Sequence, residues 1–196
     1  MRPRRPSPGI VPAHRARREA LIDPVVLIDL DAAIVELRPS GRPRPDLILR
    51  ENAQEGLGRL RDEARVVILV DPTARDQLLP HQPDIRAAFA RRSLRGVVTR
   101  IPMLSCRHKR GEPCDDRKPA TGLLQRATDE LGVNREGAWL VGDDASVAAG
   151  RDLGLRTVRV GPSNVGPMGP TLTADYEARD LLDAANWILL QAALAA

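Results

Sequence analysis

The sequence predicts an α/β fold: a doubly wound, three-layer α/β/α sandwich with a mainly parallel sheet. Three observations carry that expectation. VVLIDLDAAIV after Pro24, RVVILV at 65–70, AWLVGDD at 138–144 and RTVRVG at 156–161 contain strand-length apolar runs, as strands covered on both faces require. The stretches between them place apolar residues at helical spacing. The strand-like runs also tend to close on aspartate: Asp29 and Asp31, then Asp71, then Asp143 and Asp144. In an open parallel sheet, ligands bind outside the carboxyl ends of the strands, so these carboxylates converge on one crevice.

Each element follows from its residues. Residues 1–20, rich in Arg and Pro, are too poor in packing residues to build a core and are expected to form a flexible tail; 21–196 form one domain. The first strand runs through VVLIDLDAAIV. LILRENAQEGLGRLRDEA, residues 47–64, puts Leu49, Ala53, Leu57 and Leu60 on one helical face and leads into the second strand, which ends at Asp71 and Pro72. A helix is expected over 83–94 and a short strand over 96–101, GVVTRI. The loop 106–119 follows, and then a helix over 120–132 with Leu123, Ala127 and Leu131 as its stripe and Gly132 as its stop. SVAAGRDLG predicts a helix before the strand RTVRVG. The segment 176–196 is mostly helical, with Leu181, Leu182, Ala185 and Ile188 facing inward.

Composition excludes several classes. No apolar run approaches the ~18 residues of a membrane span. The net charge of +4 owes much to Arg2, Arg4, Arg5, Arg15, Arg17 and Arg18, in a first segment without an acidic residue. The remaining body is near neutral and only 2% aromatic, which argues against a nucleic-acid surface. The tail reads as an extended start; a targeting or polyanion-binding role is the competing reading. No apolar secretory region precedes the first strand, so a reducing cytoplasm is expected.

Paired carboxylates at strand ends suit Mg²⁺, which takes one or two carboxylates together with phosphate oxygens and water. A single strand-end Asp more often caps a turn; two separated pairs with a lysine between them in sequence favour function. That lysine is notable because the chain uses Arg almost everywhere and has only Lys109 and Lys118. Lys118 therefore reads as a site that needs a compact ammonium, and Lys109 as a solvated loop residue. The loop CRHKRGEPCDDRKP, residues 106–119, also holds both cysteines of the chain.

These motifs resemble those of the haloacid dehalogenase superfamily. VVLIDLDAAIV looks like its first motif and WLVGDD like its fourth, acidic one. The loop is similar to that of the subfamily containing D,D-heptose 1,7-bisphosphate and histidinol-phosphate phosphatases, through Cys106, His108, Cys114, Asp116, Arg117, Lys118 and Pro119. The resemblance spans roughly residues 24 to 190 and implies a Rossmann-like phosphatase domain; no large cap insertion is visible. It implies that Asp29 is the nucleophile, that Asp31 is the general acid and base, and that Lys118 holds the phosphate. Mg²⁺ would be held by Asp29, Asp31 through its main-chain carbonyl, and Asp143, with Asp144 as a supplement. Arg117 would contact substrate. In the loop, Cys106, His108, Cys114 and Asp116 would hold a structural Zn²⁺, with Asp116 where the family has cysteine. Two free thiols and a disulfide remain the competing readings of the cysteines.

Three positions depart from the family pattern. Ala32 and Ala33 replace Gly-Thr, Val70 stands where a phosphate-binding hydroxyl is usual, with Thr73 as the nearest substitute, and Val147 replaces an aspartate. The expected function is a Mg²⁺-dependent phosphatase acting on a small phosphorylated metabolite such as a sugar phosphate. A pseudoenzyme that binds a phosphorylated ligand or a protein partner is the alternative.

Overall fold

Alternation along the strands decides the layers. The computed structural model describes residues 24–38, 46–72, 96, 98, 100–106, 108, 111–161 and 173–195. Its main sheet is built from β1 (Val25–Asp29), β4 (Arg65–Val70), β5 (Met103–Ser105), β6 (Ala138–Gly142), β7 (Arg156–Val160) and β8 (Tyr176–Ala178), and every neighbouring pair is parallel. The order β5-β4-β1-β6-β7-β8 puts β1 inside the sheet, and all five of its residues are buried. A second, two-stranded antiparallel sheet joins β2 (Val35–Arg38) to β3 (Asp46–Leu49).

Four helices cover the main sheet: α1 (Ala53–Glu63), α2 (Gly122–Leu131), α3 (Asp144–Asp152) and α4 (Leu181–Leu194). Val26 and Ile28 of β1, with Val66, Ile68 and Val70 of β4, pack towards Leu57 and Leu60 of α1 and Leu181, Ala185 and Ile188 of α4. The alternate residues Val25, Leu27, Val67 and Leu69 pack towards Leu123, Leu124 and Ala127 of α2 and Ala149 of α3. The period of two thus divides one apolar run between two cores, giving the three layers expected. Burying a Leu or Ile in this way contributes about 2 to 3 kcal/mol. Helices α1 and α4 touch at Gly56, where an added Cβ would lie 2.7 Å from the Leu181 carbonyl carbon and from Leu182 N.

Several elements differ from expectation. Beyond Asp29 the first apolar run leaves the sheet in a π-helical turn, Leu30–Ile34, whose Leu30, Ala32, Ala33 and Ile34 are buried; hydrophobicity alone does not separate a buried strand from a buried turn. Leu49 is not on a helix. It lies in β3, opposite Val35, and α1 begins only after Asn52, which takes a left-handed conformation with φ 55°. The strand expected over 96–101 is displaced to Met103–Ser105, since Gly96, Val98 and Arg100 lie in turns and Arg100 has φ 65°. Tyr176 to Ala178 form an edge strand before the last helix. The tail, the helix expected over 83–94, Lys109 and Thr73 lie outside the described residues. Gly132 ends α2 in the left-handed conformation, φ 59°, as read from its position. No described helix is long and apolar enough to cross a membrane.

Candidate active site and metal loop

From β1 the chain runs outward to β4 and β5 on one side, then returns to place β6 on the other side of β1. Such a reversal opens a crevice at the carboxyl ends of the strands. Asp29 ends β1, Asp71 follows β4, and Asp143 follows β6 as the N-cap of α3, its side chain accepting from Ser146 N at 2.9 Å. Asp29 is 3% exposed and Asp71 4%, and a carboxylate buried like that of Asp29 is costly unless paired.

Lys118 supplies the pairing. Its ammonium donates to Asp29 Oδ2 at 2.5 Å and to Asp143 Oδ2 at 3.1 Å, and stands 3.9 Å from Asp31 Oδ1. Burial alone would lower the pKa of Lys118, but the carboxylates of Asp29, Asp31 and Asp143 outweigh it and raise the pKa above that of a free lysine. For Asp143, burial pushes upward, and the stronger pull of Lys118 and the Ser146 N–H holds its carboxyl below the usual range. Asp31 behaves oppositely. Burial first, then the adjacent Asp29 charge, push its carboxyl up to about 8 against the pull of Lys118.

The crevice has two further features that sequence reasoning missed. Ser146, 2% exposed in the first turn of α3, donates its hydroxyl to Asp29 Oδ2 at 2.5 Å. Arg50, just beyond β3, donates from Nη2 and Nε to the main-chain carbonyl of Asp31, at 2.8 and 3.2 Å. The spacing Asp143-x-x-Ser146, a helix-start signature, was the available sign of the first; nothing in the sequence marks Arg50. Asp71 was legible as a strand-end carboxylate but had no role assigned. It shares the lining of a small cavity of about 20 Å³ with Asp29, Lys118, Ser146 and Asp116.

The remaining expected residues divide. Asp144 begins α3 and faces Arg159, 3.8 Å away, rather than Lys118. Arg117 is exposed beside Lys118. Val70 is fully buried in the core, and Val147 is 1% exposed, so neither departure leaves an apolar side chain open in the crevice.

The loop brings its four ligand-type side chains together. Cys106 Sγ lies 3.2 Å from Cys114 Sγ and 3.4 Å from His108 Nδ1, Cys114 Sγ is 3.3 Å from the same nitrogen, and Asp116 Oδ2 is 3.7 Å from it. One ligand atom from each of the four falls within 4.8 Å of the others. Tetrahedral zinc, with bonds of about 2.0 to 2.3 Å, separates its ligand atoms by comparable distances. Both cysteines are free thiols here, and burial pushes the Cys106 thiol up to about 12. Asp116 also accepts from Arg126 Nη1 at 3.0 Å, and Arg126 Nη2 bonds the Ser105 carbonyl at 2.5 Å, tying the loop to β5. Gly122 permits the return: an added Cβ there would lie 2.7 Å from the Asp115 carbonyl oxygen.

Among solved structures, the D,D-heptose 1,7-bisphosphate phosphatase of B. bronchiseptica, complexed with magnesium and phosphate, aligns over 86% of this chain and 99% of its own, with TM-score 0.66 and 20% identity. The chain has the haloacid dehalogenase-like fold. A model of HAD-like hydrolases matches residues 116–184, the part of the fold carrying Lys118 and the β6–α3 junction. The D,D-heptose 1,7-bisphosphate phosphatase of Burkholderia thailandensis shares this fold over 85% of this chain and 98% of its own, with TM-score 0.57 and 18% identity. So does the cobalt-bound deoxy-D-mannose-octulosonate 8-phosphate phosphatase of Haemophilus influenzae, over 89% and 91%, with TM-score 0.56 and 14% identity. A comparison with curated protein sequences finds no match.

Proposed function

We propose that this chain is a Mg²⁺-dependent phosphatase that hydrolyses a small phosphorylated metabolite, with sugar phosphates as the first class to test. The observation that carries the reading is geometric: Lys118 Nζ stands 2.5 Å from Asp29 Oδ2, 3.1 Å from Asp143 Oδ2 and 3.9 Å from Asp31 Oδ1 at the strand ends, where burial raises the Asp31 carboxyl. A carboxyl whose pKa is raised by its surroundings suits the role of acid, which leaves its neighbour Asp29 the role of nucleophile. Asp29 attacks phosphorus and carries the phosphoryl group as an acyl phosphate. Asp31 gives its proton to the departing alcohol and then takes one from the water that hydrolyses the intermediate. Lys118, already 2.5 Å from Asp29, holds the phosphate oxygens beside the nucleophile. The similar structures, a heptose bisphosphate phosphatase with magnesium and an octulosonate 8-phosphate phosphatase with cobalt, support the same class.

The donor set suits a hard cation, because two carboxylates, Asp29 and Asp143, and the main-chain oxygen of Asp31 meet at one strand-end crevice. Asp29, Asp31 and Asp143 are the residues that would hold Mg²⁺, which when bound supplies charge that offsets repulsion between carboxylate and phosphate. In the loop, Cys106, His108, Cys114 and Asp116 would hold Zn²⁺ and so fix the turn two residues before Lys118. The protein is then expected to act in a reducing cytoplasm, where the thiols stay available to metal.

One observation favours a second reading, a binding protein without turnover: Val70, at the position where a phosphate-binding hydroxyl is expected, is fully buried in the core. Phosphate release from sugar phosphates, histidinol phosphate and nucleotides, with and without Mg²⁺, decides between them. Wild type is expected to release phosphate and Asp29→Asn to release none. Equal release by both across the set removes the phosphatase reading.

A further inference from the structure

Ser146 makes two contacts from one residue. Its main-chain N–H donates to Asp143 Oδ1 at 2.9 Å, and its hydroxyl donates to Asp29 Oδ2 at 2.5 Å. The first is ordinary helix capping and would survive in any residue that keeps the N–H. The second is not local, because it spans from α3 to the end of β1 and buries the hydroxyl almost completely. The backbone makes room for it. An added Cβ on Gly142, the last residue of β6, would lie 2.4 Å from Ser146 Cβ, 2.6 Å from its Oγ and 3.2 Å from Asp29 Cβ. Only a bare residue at the end of β6 lets the serine lean across that strand.

The consequence falls on the two oxygens of Asp29. Oδ2 receives both the Ser146 hydroxyl and the Lys118 ammonium, whereas Oδ1 is buried and receives neither. A hydrogen bond withdraws electron density from the oxygen that accepts it and resists rotation of the carboxylate plane. Two donors on one oxygen therefore make the pair inequivalent and leave Oδ1 as the more nucleophilic atom, held in one orientation. We infer that Ser146 is a positioning residue that orients the Asp29 carboxylate for attack through Oδ1 while its backbone sets the distance to Asp143. The inference rests on the phosphatase reading and goes beyond it by assigning the roles of the two oxygens.

The test is steady-state kinetics on the best ester from the phosphate-release set. Ser146→Ala should lower kcat by about tenfold to a hundredfold, the size of one hydrogen bond to a charged group, with KM changed less than twofold. Mg²⁺ affinity, measured by calorimetry without substrate, should stay within threefold because the backbone bond to Asp143 persists. Ser146→Thr, which keeps the hydroxyl, should recover most of the lost kcat. A merely structural serine would instead leave kcat intact, or would lower it together with Mg²⁺ affinity and the melting temperature; either result overturns the inference. If Ser146→Ala does not fold, Ser146→Cys carries the same test with a near-isosteric, weak donor, and an unchanged kcat there overturns it equally. The two failures separate: an active wild type with an inert Asp29→Asn and a fully active Ser146→Ala sinks only the positioning role, while a wild type silent on every ester removes the phosphatase reading and this role with it.

Discussion

The crevice and the loop each gather side chains that bind cations, but they neutralise themselves differently. In the crevice, Asp29, Asp31 and Asp143 surround an ammonium that the chain itself supplies, so the carboxylates are compensated before any metal arrives. In the loop, two thiols and an imidazole face one another at 3.2 to 3.4 Å, and the nearby guanidinium of Arg126 bonds Asp116 and the Ser105 carbonyl. Thiols and imidazole are weak partners for one another without a cation, whereas carboxylates with lysine are strong ones. The difference teaches that a metal would adjust an already formed crevice but would complete an unfinished loop.

The strongest way to break this comparison is to remove the resident cation. Lys118→Met should abolish phosphate release and cost the metal-free protein on the order of 3 kcal/mol, since it strands a buried carboxylate. Added Mg²⁺ should recover part of that loss in a thermal melt, with zinc content unchanged. A variant as stable as wild type without Mg²⁺ would show that the crevice does not depend on its lysine. Next comes Cys114→Ser, which should empty the loop of zinc by elemental analysis and lower the melting temperature by on the order of 5 °C. Here the carboxylates should keep their Mg²⁺ affinity, and zinc retained at the wild-type level would exclude Cys114 as a ligand.

A smaller effect concerns pH. Asp31 is raised in the folded chain from 3.8 to about 8, so folding holds a proton that the unfolded chain releases. Its contribution to stability is complete below about pH 4 and is lost as pH rises through about 8. With chelator present, the melting temperature should therefore decline from pH 5 to 8, and Asp31→Asn should flatten that slope. An unchanged slope in the variant assigns the titration elsewhere. The smallest effect is expected for Asp116→Cys: retention of zinc against a chelator should rise about tenfold. The metal-free protein should lose about 1 kcal/mol as Arg126 loses its carboxylate. Weaker retention would show that the turn does not present a sulfur at that position.

Legibility in the sequence followed the range of the interaction. β4 and β6 were visible because burial on both faces makes VVILV and AWLV apolar at every position, and Gly132 was visible because a helix stop is a local conformational demand. Strand-end position alone indicated that Asp29 and Asp143 would meet. Pairings between distant segments were not readable. Leu49 carries the right spacing for α1 yet is claimed by Val35 across a hairpin, and the reach of Ser146 to Asp29 joins residues 117 positions apart. Arg50 was hidden for the same reason, since its partner is a backbone carbonyl 19 residues away that any sequence possesses.

The order of the strands also bears on how the chain is made. β1 is synthesised first, yet one of its two neighbours, β6, follows α1, β4, β5 and α2 in the chain. The helix that covers the opposite face, α4, comes later still and meets α1 at Gly56 through its very first residues. A nascent chain therefore passes through a long interval in which Val26, Ile28, Leu57 and Leu60 are already present and their cover is still inside the ribosome. Contacts so distant along the chain form slowly, and the exposed strand edges invite association between copies. Biosynthesis at high rates should thus strain this protein more than its finished stability suggests, and slowing translation or adding chaperones should raise the soluble yield.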